Sequence, residues 1–426
     1  MTVISVEEYK IGRADGLKPS AADLAAAGSK ALSKRVTLRW LRDDVLEVEA
    51  GPYVGVLELD CATVRVRPKL AGEELAVLQM IDYATGLDAL RDIGTVQHLG
   101  EGLDLRDLVC LLLTREAGRL LRHGLRRDYL RREEDLPTVR GRLLADRQVM
   151  RRFGRLDRLE CRYDERSGDI LDNRLCTAAL NLAARTATDA RVRNDARRLA
   201  ADFADVCTTR GFDVRAAAER LVYHRANEHY RDAHRWALML LGRTAFSGLY
   251  ADHGPVTSAF MVDMNKLFED FVTRLLRDAA AGTGVDVLPQ KTLTRAVMTE
   301  GGKTYAPITP DVQLVRGHGP RAWRRSVDAK YKLYGDKKIQ TSDLFQSFAY
   351  AHALSGADGG GPPTAYVLYA ADRDVLPKTI RVHRHDGAAA AQVTCVAVNV
   401  PEVLGCLAAG EPPPIIEELR HALLQA

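Results

Sequence analysis

The sequence predicts an α+β protein of several domains: a β-rich N-terminal domain over residues 1–100, a mainly helical middle region over 101–255, and a C-terminal α/β domain over 256–426 with a mixed central sheet. Three observations predict it. The runs VTLRWL, DVLEVEA, YVGVLEL and TVRVRPKL alternate apolar and polar residues between Arg35 and Leu70, the signature of half-buried antiparallel strands. From Leu105 to about Gly254 the apolar spacing becomes helical. After Met261 the order runs helix, strands, helix, strands.

Taken in order, residues 1 to about 34 hold a short strand-like start and the Ala-rich AADLAAAGSKAL. The alternating runs are separated by turn residues at Asp43-Asp44 and Gly51-Pro52, end near Lys69, and lead into a helix through ELAVLQMIDYATGL. LRDLVCLLLTREAGRLLRHGLRRDYLRR then reads as a helix, with Leu112, Leu120 and Leu121 on its apolar side and arginines elsewhere. The polar stretch from Pro137 to Glu165 breaks the pattern into strands or loops, and helices resume through NRLCTAALNLAART, DARRLAADFADVC and HYRDAHRWALMLLGR. The turn-rich SGLYADHGPVTS opens the last region. A helix from about Met261 to Ala280 precedes strand-like VDVLPQKTLTRAVM, a Gly301-Gly302 turn, then ITPDVQLV and RRSVDAKYKLY across a turn containing Gly317 and Gly319. A helix through SDLFQSFAYAHAL, a loop ADGGGPP, three further strands and two short helices complete the chain.

Bulk properties exclude several classes. A chain of 426 residues, 46% hydrophobic and 28% charged, is an ordinary globular composition with room for two or three cores. Seven scattered cysteines without a Cys-x-x-Cys pair point to a reducing cytosol rather than to a disulfide framework or a zinc site. The N-terminus lacks a signal-type apolar core, and the longest apolar run, Leu108 to Leu113, is far too short to span a bilayer. A cytoplasmic protein with no membrane association is expected.

The chemistry concentrates between Ile308 and Tyr350. In SVDAKYK the period of a strand puts Asp328, Lys330 and Lys332 on one face, and Asp311 lies on the preceding strand across a hairpin-like turn. Two acids and a lysine on adjacent strands are what metal-assisted phosphodiester hydrolysis requires: carboxylates to hold Mg²⁺ with open positions, and a lysine to orient or polarise the attacking water. Glu269 borders the buried face of its helix, where an acid needs a partner, either a metal site or a neighbouring lysine. Gln346 and Tyr350, four apart on a helix, share a face and could contact phosphate or steady Lys330. Singly, Asp-x-Lys is common, Pro-Asp is usually a turn and Gln-x-x-x-Tyr is usually a surface pair; their order and element types together carry the reading.

Other signals are weaker. GGKT at Gly301–Thr304 is not a phosphate loop, because Val297 stands where the first glycine belongs and a strand-like run follows, so no nucleotide site is expected on this chain. His224, His229 and His234, five apart, cannot form one ligand face on a helix. His383 and His385 read as strand-surface residues. The arginine-rich middle, Arg126 to Arg158, suits a phosphate backbone but is interleaved with acids, so a solvated or protein-binding face is equally consistent.

PDV followed by DAKYK, with NKLFEDFV upstream and QSFAY downstream, resembles the PD-(D/E)xK nuclease superfamily. More closely, with VRVRPKL, MIDYATGL, VRGRLL, CRYDERSGDILDNRLCTAAL and HYRDAHRWALMLL, the chain from about Val54 to Ala371 resembles the McrC family of McrBC modified-cytosine restriction systems. The resemblance implies a PD-(D/E)xK nuclease-like C-terminal domain. In it Asp311, Asp328 and Lys330 would be catalytic, Asp311, Asp328 and Glu269 would hold Mg²⁺, and Gln346, Tyr350 and Lys332 would support them. It further implies a McrB-type AAA+ GTPase partner, contacted and stimulated by the N-terminal part, and double-stranded DNA containing modified cytosine such as 5-methylcytosine as substrate. The alternatives are a non-catalytic regulator of such a GTPase and a stand-alone RecB-like nuclease.

Overall fold

A computed structural model describes residues 2–42, 44–69, 74–86, 102–153, 155–242, 259–317, 323–334, 339–355 and 362–424. The chain divides into two compact units, one formed by Met1–Leu105 together with Gly248–Ala426, the other by Arg106–Ser247. Where the sequence reads as three consecutive segments, the first and last thus share one unit. The segment boundaries at 100/101 and 255/256, like Asp43, Gly319 and most of the ADGGGPP loop, lie outside the described residues.

In the first unit the N-terminal segment contains β1 (Thr2–Glu7), β2 (Ile11–Ala14), α1 (Ala21–Ala27), α2 (Lys30–Ser33), β3 (Val36–Leu41), β4 (Val45–Ala50), β5 (Tyr53–Glu58), β6 (Ala62–Arg67) and α3 (Glu74–Thr85). The alternation reads directly in β6, where Ala62, Val64 and Val66 are buried and the residues between them are not. Strands β2, β4 and β3 form one antiparallel sheet. The other sheet runs β1, β6, β5 and then a strand from the far end of the chain.

The second unit opens with α4 (Leu105–His123), followed by β7 (Asp128–Leu136), β8 (Arg142–Leu143), α5 (Ala145–Arg152), β9 (Leu159–Ser167), α6 (Leu171–Thr186), α7 (Ala190–Ala204), α8 (Val214–Arg220) and α9 (Arg231–Leu240). The helix expected to run through GLRRDYLRR instead stops at His123. Gly124 follows at φ 87°, a left-handed conformation that ends a helix readily, and DYLRREEDL pairs with β9 as a nine-residue strand. With polar residues on both faces, this strand has no apolar alternation to reveal it. The arginines of this region are matched by acids of β7 and β9: Arg162 and Arg147 bind Glu133, Arg152 and Arg158 bind Asp135, and Arg140 binds Glu165. Among the histidines, His234 is buried against the Asp172 carbonyl while His224 and His229 are exposed, so no shared ligand face exists.

The first unit resumes with β10 (Ala259–Asp263), α10 (Met264–Ala280), β11 (Val285–Pro289), β12 (Leu293–Met298), β13 (Thr304–Ile308), β14 (Val312–Arg316), β15 (Trp323–Lys330), α11 (Thr341–Leu354), β16 (Thr364–Ala371), β17 (Lys378–His383), β18 (Ala389–Asn399), α12 (Val400–Ala409) and α13 (Ile415–Leu419). Six strands form the central sheet in the order β11-β14-β15-β16-β18-β17. It is mixed: β15, β16 and β18 are parallel, and the other pairings are antiparallel. Helix α10 turns Leu267, Phe268, Phe271, Val272, Leu275 and Leu276 into the core, a spacing of three and four that its sequence carries.

The two ends of this unit are sewn together by β10, which adds antiparallel to β5 with Met261 opposite Gly55. Gly55 sits at φ 139°, and a Cβ there would lie 2.0 Å from the Phe260 carbonyl oxygen. Gly55→Ala is therefore expected to cost about 3 kcal/mol or more, from backbone strain plus a clash with main chain that cannot rotate away. A lowered urea midpoint is the check; an unchanged midpoint would contradict this register. Among the described residues no helix is long and apolar enough to cross a membrane.

Candidate active site

The central sheet places the two aspartates against each other. The register of β14 with β15 pairs Val312 with Val327, and one further step along the same antiparallel ladder sets Asp311 opposite Asp328. The backbone N–H of Ala329 donates to Asp311 Oδ2 at 2.8 Å, which ties the first carboxylate to the strand that carries the second. Asp328 is 2% exposed. Lys330, two residues on and on the same strand face, brings its Nζ to 2.7 Å from Asp328 Oδ2. This is an ion pair without hydrogen-bond alignment, so Asp328 Oδ2 is buried with no hydrogen bond from a described residue.

Electrostatics follow from that crowding. Burial, then the neighbouring charges of Asp328 and Glu269, push the Asp311 carboxyl up to about 8. For Lys330, burial opposes the charge, but the Asp328 carboxylate outweighs it and holds the ammonium above its ordinary range. A pair of buried carboxylates that resists double ionisation is a site that gains from a cation.

The flanking residues divide. Gln346 and Tyr350 of α11 reach Lys330 in series: Lys330 Nζ donates to Gln346 Oε1 at 3.4 Å, and Gln346 Nε2 donates to the Tyr350 hydroxyl at 2.9 Å. Glu269 of α10 is held by Lys266 Nζ at 3.1 Å and Gln290 Nε2 at 3.0 Å, although its charge is felt at Asp311. Lys332 departs from the expected strand face. Strand β15 ends at Lys330, and Lys332 lies beyond it, donating to Gln340 and Asp343 at 2.8 Å each. It anchors the start of α11 through Gln340 and Asp343.

Among the described residues, no three or more His, Cys, Asp or Glu side chains converge closely enough to hold an ion. Glu269, expected beside Asp311 and Asp328, has the neighbouring lysine that its place at the buried face called for, Lys266, together with Gln290. The pair Asp311 and Asp328 nonetheless suits Mg²⁺, which is characteristically held by one or two carboxylates and completes its shell with water and substrate phosphate.

Sequence reasoning does not single out Gln290. It sits at φ 46° between β11 and β12, its N–H donates to the Asp311 carbonyl at 2.8 Å, and its side chain reaches Glu269. It therefore links both acids, yet a left-handed glutamine has no periodic signal to betray it. A cavity of about 480 Å³ in the second unit carries no comparable chemistry, since its Arg126 and Arg174 are paired with Asp128, Asp172 and Asp169.

The fold is shared with a solved structure over nearly the whole chain. A chain of the refined half-complex from the tetradecameric assembly of Thermococcus gammatolerans McrB AAA+ hexamers with bound McrC matches with a TM-score of 0.67 and 20% identity, over 99% of both chains. A cryo-EM structure of the Thermococcus gammatolerans McrBC complex matches with a TM-score of 0.47 and 23% identity, over 65% of this chain and 88% of that one. No curated protein matches the chain. Residues 48–367 match the McrBC 5-methylcytosine restriction system component family, and the chain belongs to that family. The resemblance to McrC read from the residues holds.

Proposed function

We propose that the chain is the DNA-cutting subunit of a McrBC-type, modification-dependent restriction system. It is a Mg²⁺-dependent endonuclease that works with a McrB-type AAA+ GTPase, which it also stimulates, on double-stranded DNA containing modified cytosine. The observation that supports this reading best is the juxtaposition of Asp311, Asp328 and Lys330 where two adjacent strands of the central sheet meet. Family membership supplies the restriction context. The solved relative carries McrB AAA+ hexamers with bound McrC, which supports the partner.

Asp311 and Asp328 would hold the ion. Bound there, Mg²⁺ offsets charge at the phosphate and makes water a stronger nucleophile at neutral pH. The chain's own contribution is positional and electrostatic. Lys330 stays protonated beside Asp328 and presents its remaining N–H donors toward the attacking water or a non-bridging phosphate oxygen. Gln346, braced by Tyr350, accepts from Lys330 and limits the rotation of its long side chain.

The chain, mixed with a McrB-type partner and GTP, is expected to cut 5-methylcytosine DNA in Mg²⁺ and to stop when EDTA is added. Cutting that persists in EDTA would overturn the metal assignment. Stimulated GTP hydrolysis without cuts in any divalent metal would leave a regulator in place of a nuclease.

A further inference from the structure

The site strand is fastened at its end by Glu8 and Lys69 of the N-terminal segment. Strands β1 and β6 pair in parallel as far as Glu7 with Arg67, and the Glu8 N–H continues the ladder to the Arg67 carbonyl at 3.1 Å. Glu8 and Lys69 therefore leave the sheet side by side. The Glu8 carboxylate, 2% exposed, accepts at Oε2 from the Lys69 N–H at 2.9 Å and from the Tyr331 hydroxyl at 3.0 Å. Lys69 Nζ donates to the Tyr331 carbonyl at 3.2 Å and lies 4.4 Å from the centre of the Tyr331 ring. The same ring meets Phe268 of α10, centroids 5.9 Å apart. Tyr331 is thus held at its hydroxyl, its ring and its main chain.

Tyr331 directly follows Lys330. The β15 ladder to β16 ends at Lys330, so the next residue is set by these contacts and not by sheet pairing. We infer that Glu8, Lys69 and Tyr331 form a clasp that positions Lys330 against Asp328 and Gln346, making them positioning residues for the cleavage site. A buried carboxylate with its second oxygen, Oε1, unbonded is a poor device for stability alone, since an apolar pair of similar volume would serve as well or better. What the charged version adds is direction: two donors from different segments meet one oxygen in one geometry.

The activity readout of this inference rests on the proposed nuclease function, so the test carries a second readout that does not. In the full chain with its partner and GTP, Tyr331→Phe and Lys69→Met are expected to lower kcat about 10- to 100-fold with KM for DNA unchanged, the scale of a misplaced reacting group. Glu8→Gln, which keeps an accepting oxygen, is expected to restore most of the rate that Glu8→Leu loses. Tyr83→Phe is the control. It removes a partly buried tyrosine–carboxylate bond, to Asp278 at 2.6 Å, between α3 and α10 of the same unit. Hydrogen–deuterium exchange of metal-free protein is expected to speed up at Asp328–Tyr331 in Tyr331→Phe and Lys69→Met, but not in Tyr83→Phe. Equal loss of kcat in Tyr83→Phe, or unchanged exchange at the strand end, would overturn the clasp. Wild-type protein that never cuts would overturn the nuclease reading, and the exchange result would still decide the clasp.

Discussion

Asp328→Asn is expected to reduce DNA cleavage by roughly 10³-fold or more, the equivalent of about 4 kcal/mol of transition-state stabilisation. The amide keeps the volume of a side chain that is 2% exposed, so the strand should survive the change. What it loses is the charge that would bind the ion and that pairs with Lys330 at 2.7 Å. Lys330→Ala is expected to fall by about 10²–10³-fold, the usual scale for removing one donor aimed at developing charge. The two variants should separate by metal. Raising Mg²⁺ should recover part of the activity of Asp328→Asn, whose affinity is weakened, and none of Lys330→Ala, whose carboxylate pair is intact. Equal recovery in both would argue against the separate roles given to the acid and the lysine.

The second large effect concerns stability and pH. Asp311 has its folded-state pKa raised, by burial first and then by Asp328 and Glu269, to about 8. A raised folded pKa means that this carboxyl favours the fold at low pH, below its unfolded value near 4, and that the benefit is lost progressively as pH rises through about 8. Asp311→Asn has no charge to repel, and its amide oxygen can still accept from the Ala329 N–H. Metal-free Asp311→Asn should therefore melt above wild type at pH 8, by about 2–4 °C per kcal/mol of repulsion relieved, with the margin closing near pH 4. Mg²⁺ should reverse the order at pH 8 by stabilising wild type more. Its binding should release a proton and tighten as pH rises toward 8. Calorimetry in buffers of different ionisation enthalpy measures that proton. A melting difference that does not vary with pH would show that the two carboxylates do not repel.

A buried carboxylate pair that repels itself opposes stability, and local rules are expected to be broken where a site is built. The breakage is also what makes the site legible. Asp328 and Lys330 alternate with Val327 and Ala329 on one strand, Asp311 immediately precedes the neighbouring strand, and the antiparallel register brings Asp311 and Asp328 together. Lys332 is misplaced for the complementary reason. Period-two counting continues past Lys330, whereas the strand does not, and Lys332 turns to Asp343. Gln290 and the Glu8–Lys69–Tyr331 contacts are invisible in sequence because they join residues up to 323 positions apart, and no window of local periodicity contains both partners. The pairing of β10 with β5 is non-local in the same way, so three segments in sequence become two units in space. Strand β7 is hidden by its composition, since charged residues on both faces erase the alternation by which half-buried strands are recognised.

If the carboxylate pair cuts DNA while other parts of the chain serve a partner, the two activities are separable. The most direct test measures cleavage of 5-methylcytosine DNA and of unmodified DNA, with GTP hydrolysis followed in the same reactions, for wild type and Asp328→Asn mixed with a McrB-type partner in Mg²⁺. Wild type is predicted to cut only the modified DNA, and Asp328→Asn to cut neither while stimulating GTP hydrolysis as strongly as wild type. Cleavage of modified DNA by Asp328→Asn at the wild-type rate would contradict the account.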